Sequence, residues 1–117
     1  MFENFYKFSK VTSLNLSNFN TRSATNMVGM FQECSSLNSL DLSNFNTNGV
    51  KSMANMFSGC KSLISLNLSN FNTSNITEMN SMFSGCSSLN YLDLSKFDTN
   101  GVKTMADMFS GCIPIFF

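Results

Sequence analysis

Histidine is absent from the 117 residues, as is tryptophan, and proline occurs once. Without histidine the commonest general base is missing, and with it the Ser-His and Cys-His arrangements of nucleophilic catalysis. One proline leaves no proline-rich linker to divide the chain. Charge is scarce too: seven basic residues balance seven acidic ones. A net charge of zero supplies no basic stripe to neutralise phosphates or to steer the chain onto an acidic membrane. No run of 18 apolar residues exists, and the N-terminal MFENFYKFSKVTSLN lacks the unbroken apolar centre of a signal peptide.

What is present is repetition. SSLNSLDLSNFNT at 35–47 returns as KSLISLNLSNFNT at 61–73 and SSLNYLDLSKFDT at 87–99, a period of 26 residues. Leu37, Leu63 and Leu89 are therefore equivalent, as are Cys34, Cys60, Cys86 and Cys112. The consensus reads S-L-x-x-L-x-L-S-x-F-x-T-x-x-V-x-x-M-x-x-M-F-x-x-C, and an earlier copy begins near Val11. NGVKSMANMFSGC at 48–60 comes back as NGVKTMADMFSGC at 100–112, a longer period of 52. A fixed period of this length is the signature of stacked repeats rather than of a single globular core.

Each copy reads as two elements. Leu40 and Leu42 alternate with Ser39, Asp41 and Ser43, the period of two of a strand buried on one face. Val50, Met53, Met56, Phe57 and Cys60 then fall three and four apart, which predicts a short helix with Thr47 or Asn48 at its N-cap and Gly59 as its left-handed end. Glu33 stands in the glycine position of the first copy, so that helix is expected to end differently. The expected fold is α/β: a solenoid with one short parallel strand and one short helix per repeat. Strands are placed near 13–16, 39–42, 65–68 and 91–94. Residues 1–117 form a single array, with a partial repeat at 1–10, repeats at about 11–36, 37–62, 63–88 and 89–114, and a truncated C-terminal end. One repeat has too few apolar side chains to offset its own ordering entropy, so stability must come from neighbours.

The run MFSGCSSLNYLDLSKFDT, together with NITEMNSMF, resembles the repeat of the BspA-like leucine-rich repeat surface proteins, and the likeness covers residues 11–112. The resemblance implies a curved solenoid used for attachment or protein recognition at a cell surface, within a longer chain. Phe19, Phe45, Phe71 and Phe97 stand where the usual leucine-rich consensus has asparagine, so a phenylalanine spine is expected in place of an asparagine ladder.

No catalytic, cofactor-binding or metal site is expected. One cysteine per repeat gives a line of parallel thiols about 5 Å apart, which can neither surround a zinc ion nor face one another as disulfides; the expectation is four free, buried thiols. Asp41 and Asp93 alternate with Asn15 and Asn67, which keeps like charges from stacking and serves neither a carboxylate pair nor calcium.

If the molecule has a working surface, it is the outward strand face: Ser13, Ser39, Ser65 and Tyr91 in one row, and Asn15, Asp41, Asn67 and Asp93 in the next. Tyr91 is its one large side chain, of a type favoured at contact centres. A solvated sheet face with no partner is the plainer alternative. The sequence thus points to a non-enzymatic recognition or adhesion module of a bacterial-type surface protein, with a protein or cell-surface ligand, neither nucleic acid nor a membrane span, and a cell-surface or extracellular location. The alternatives are a cytoplasmic interaction scaffold, which the missing signal and the unpaired cysteines favour, and a truncated remnant without function. The apolar tail Ile113, Ile115, Phe116 and Phe117 suggests self-association through an uncapped C-terminal end.

Overall fold

A computed structural model gives the structure of the protein and describes residues 9–112. The partial repeat at 1–10 lies mostly, and the apolar tail wholly, outside the described residues.

Two strands form where the leucine alternation is flanked by a copy on each side. β1 (Ser39–Asp41) and β2 (Ser65–Asn67) each bury only their central leucine. They pair in parallel, with Ser39 opposite Ser65, Leu40 opposite Leu66 and Asp41 opposite Asn67. Equivalent residues of successive copies therefore meet across the interface. Tyr91 makes an isolated bridge, and residues 13–16 form no strand. The four-stranded sheet expected from the pattern is thus reduced to its middle pair among the described residues. The strands are short because the next side chain turns the backbone: the Ser43 N–H donates to Oδ1 of Asp41 at 3.0 Å, and the Ser69 N–H to Oδ1 of Asn67 at 3.0 Å. Such Asx turns compete directly with ladder hydrogen bonds.

The helix expected after each strand does not form. No α-helix is present among the described residues. Val50, Met53, Met56, Phe57 and Cys60 are each 0% exposed, so the apolar spacing marks an inward face as expected, but the backbone reaches that result differently. The N–H groups of Met53, Asn55, Phe57 and Gly59 donate to the carbonyls of Glu78, Asn80, Met82 and Ser84 in the next copy, at 3.0, 3.0, 2.9 and 2.8 Å. Those of Met56, Ser58 and Cys60 turn back to Met53, Asn55 and Phe57, three residues earlier. Between these tight turns sit left-handed residues, Asn55 at φ 58° and Gly59 at φ 79°. A left-handed residue every fourth position stops an α-helix from propagating. It also gives the turn train a repeat of four, which points side chains inward at the same intervals as a helix does.

The same train recurs in every copy. Ser81 and Gly85 take φ 58° and 76°, and Asp107 and Gly111 take 57° and 76°. In the first copy Glu33 keeps the left-handed conformation at φ 62°, so this end does not differ as the sequence suggested. Parallel bridges link Asn26 to Ser52, Ser52 to Glu78 and Glu78 to Thr104, closing the side opposite the strands.

Between the two sides lies one apolar core that runs through all the copies. Phe31, Phe57, Phe83 and Phe109 stack with ring centroids 5.8, 5.6 and 5.6 Å apart and planes within 7° of parallel. This column belongs to the M-F-x-x-C phenylalanines. In the row where a phenylalanine spine was expected, Phe19 and Phe45 stack at 6.2 Å.

Side chains add hydrogen bonds between copies: the Asn44 amide donates to the Leu16, Ser17 and Phe19 carbonyls and that of Asn70 to the Ser43 carbonyl, and threonines clasp the next copy. Thr21, Thr47 and Thr73 are buried. The Thr47 hydroxyl donates to the Asn72 carbonyl at 3.1 Å and accepts from the Asn72 N–H at 2.8 Å. Thr21 clasps Asn46, and Thr73 clasps Asp98, in the same two-bond manner. Thr47 is therefore an interlayer clasp and not a helix cap.

Candidate functional site: the outward strand face

Ser13, Asn15, Ser39, Asp41, Ser65, Asn67, Tyr91 and Asp93 are all exposed. The pairing of β1 with β2 sets Ser39 beside Ser65 and Asp41 beside Asn67, so the two middle members of each row are direct neighbours. Alternation along each strand puts the hydroxyl, carboxylate and amide groups on the side opposite the buried leucines.

The Asn and Asp row is held rigidly. Ser17, Ser43, Ser69 and Ser95 each donate a backbone N–H to the Oδ1 of the residue two before it, at 3.1, 3.0, 3.0 and 2.9 Å. One oxygen of each side chain is thereby committed to its turn. The backbone and hydroxyl of Ser43 hold the Asp41 carboxyl below the usual carboxylate range. For Asp93 the Ser95 hydroxyl leads, the Ser95 backbone adds to it and Lys96 contributes less, again lowering the pKa. Both are anions at neutral pH, two copies apart.

Three shallow open depressions follow one another along this face. One, of about 330 Å³, lies between Asn15, Asp41 and Asn44. The largest, about 570 Å³, is lined by Ser39, Asp41, Ser65, Asn67, Ile64 and Tyr91 among others. The third, about 250 Å³, lies between Asn67, Tyr91, Asp93 and Lys96. Tyr91, 57% exposed, is the wall shared by the last two. Ile64 is 52% exposed and joins it in the largest. Its role was not read from the sequence, although it departs from the asparagine found at Asn38 and Asn90, just as Tyr91 departs from serine.

The thiols lie away from this face. Cys34, Cys60 and Cys86 are buried, Cys112 is partly buried, and none of the four is in a disulfide. The Sγ of Cys60 donates to the Phe31 carbonyl at 3.2 Å, and Cys86 and Cys112 repeat the contact with Phe57 and Phe83 at 3.2 and 3.0 Å. Burial pushes the Cys34 thiol up to about 11 and Cys86 to about 12, and raises Cys60 and Cys112 as well. Sulfurs that stay protonated and donate to main chain are structural rather than nucleophilic.

A family model matches the chain across these repeats. The model described as "Mycoplasma protein of unknown function, DUF285" matches residues 1–65 and again 41–115. The chain belongs to the DUF285 family. The two matches overlap, as expected when a DUF285 model slides along tandem copies of one unit. No curated protein and no solved structure matches the chain. No helix of the described residues is long and apolar enough to cross a membrane.

Proposed function

We propose that this DUF285 chain is a non-enzymatic recognition or adhesion module, a piece of a bacterial-type cell-surface protein with a leucine-rich-repeat-like solenoid akin to the BspA-like proteins. The observation that carries the reading is the outward strand face, where two large apolar departures from the repeat, Ile64 and Tyr91, are both more than half exposed and line one depression. A solvated face under no demand to bind would keep the small polar residues that the other copies have at these positions. An exposed aromatic beside an aliphatic side chain, ringed by fixed polar groups, has the composition of a contact centre. The partner is a protein or other cell-surface ligand, held outside the cell.

The four thiols favour a second reading, an intracellular interaction scaffold, because disulfides are rare in reducing compartments and these cysteines do not pair.

Binding of the fluorescently labelled chain to intact epithelial cells tests the first reading. Saturable binding that is lost with Tyr91→Ala and kept with Lys103→Ala is expected. No binding, or binding indifferent to Tyr91, would overturn it. The scaffold reading instead requires the protein to be found inside the producing cell, which antibody staining of intact against permeabilised cells distinguishes.

A further inference from the structure

The fourth copy is built like the second and third, but among the described residues only one of its two sides meets another copy. Thr21, Thr47 and Thr73 are 2%, 1% and 2% exposed, whereas the equivalent Thr99 is exposed and clasps no other copy among the described residues. Met27, Met53 and Met79 are at most 2% exposed, and Met105 is 45% exposed. Leu94, Phe97 and Val102 are only partly buried, where Leu42, Phe45 and Val50 are buried outright.

The backbone shows the same one-sidedness. The N–H groups of Met79, Ser81 and Gly85 donate to Thr104, Ala106 and Ser110. Those of Met105, Asp107 and Gly111, in the same phase, have no acceptor among the described residues. Asp107 and Gly111 nevertheless hold the left-handed φ values that present such donors in line.

We propose that this end face is a docking site for a polypeptide segment carrying the same 26-residue repeat, which lies parallel on the fourth copy as a further layer. The face continues the interface already formed three times in the molecule, so its requirements are known in detail. The incoming segment must offer three carbonyls, spaced two and then four residues apart, to Met105, Asp107 and Gly111. It must bring a main-chain amide and carbonyl to the Thr99 hydroxyl, and a Met and Leu set to cover Met105, Leu94 and Val102. An unrelated amphipathic helix could cover the apolar atoms but has spent its carbonyls internally. An ordinary β-strand has carbonyls to offer but lacks the four-residue turn period that the left-handed positions impose. Strand addition at an open edge is the nearest general mode of binding, with main-chain bonds giving affinity and side-chain phase giving specificity. The site uses the backbone edge and the inward side chains of the fourth copy, and does not depend on the outward Tyr91 side chain.

The test is a titration of the whole ¹⁵N-labelled chain with a synthetic peptide of residues 61–86, alongside a scrambled peptide of the same composition. Saturable one-to-one binding is expected, with slowed amide exchange at Met105, Asp107 and Gly111. Affinity should fall by about tenfold or more with Thr99→Val or Met105→Asp. Both positions are exposed, so the variants should keep the spectrum of the parent chain elsewhere. Absence of binding, equal binding of the scrambled peptide, or indifference to both substitutions would each overturn the proposal.

Discussion

Each repeat owes its place to a few side chains whose polar atoms are spoken for by the neighbouring copy. Thr47 is the clearest case, because its hydroxyl makes two bonds to the backbone of Asn72 while being 1% exposed. Thr47→Val keeps most of the volume but leaves the part-buried N–H and carbonyl of Asn72 without this partner, a loss of about 1–2 kcal/mol. Thr99→Val, at the exposed equivalent, should change stability by less than about 0.5 kcal/mol. Urea unfolding of the two variants side by side measures the difference. The thiols give a prediction in pH. Their folded pKa values are raised above the unfolded value of about 8.5, so their contribution is complete below that value and is lost as pH rises toward about 11 at Cys34. Each buried thiol should remove about 1.4 kcal/mol per pH unit within that window. Unfolding measured from pH 8 to 10 should show a shallower decline in Cys86→Ala than in the parent. A thiol reagent at pH 8 should find Cys34, Cys60 and Cys86 only after denaturant is added.

At the level of the element, the turn train opposite the strands governs what each position tolerates. Gly85 sits at φ 76°, and a Cβ there would meet only the Cα and N of Gly59 at 3.5 Å, an ordinary contact. Gly85→Ala should therefore cost about 1–2 kcal/mol through its backbone conformation alone. Glu33 presents the reverse case, a non-glycine residue at φ 62°. Glu33→Gly should stabilise by about 0.5–1 kcal/mol, the relief of the left-handed strain exceeding the added entropy of the unfolded chain. Thermal melts of both variants check the opposite signs. The mistaken helix has a physical origin at this level. Met53, Met56, Phe57 and Cys60 report which side chains go inward, and a helix and a train of four-residue turns bury the same set. The discriminating residues are Asn55 with Gly59, Ser81 with Gly85, and Asp107 with Gly111, pairs four apart in which the second tolerates a left-handed φ without a Cβ penalty. Read singly, those glycines look like helix ends.

At the level of the whole molecule, the legible part was the part written in identical letters. Leu40 and Leu66 pair in register because equivalent residues meet across each interface, and a period of 26 carries that information directly. The row of Asn15, Asp41, Asn67 and Asp93 was likewise legible as exposed, since alternation fixes its side of the strand. Its function as a set of turn acceptors was not, because an Asx turn depends on backbone direction two residues on. The Thr47 clasp was hidden for a similar reason: a small polar residue between Phe45 and Val50 reads as loop until the next copy is seen above it. Tyr91 could be singled out by its departure from serine. Ile64 could have been found in the same way, but one aliphatic residue in an apolar-rich repeat draws no notice until its exposure is known.

The central claim is that copies are joined through the backbone on both sides, with turns and not helices opposite the strands. Native-state amide hydrogen exchange tests it most directly when it is combined with the three-bond coupling of each amide to its Hα. Slow exchange is expected at Met53, Asn55, Phe57 and Gly59, whose acceptors lie in the next copy, together with couplings at Asn55 and Ser81 that report a positive φ. Uniform protection along residues 50–60 with helical couplings throughout, and the paired far-ultraviolet minima of a helix, would contradict it.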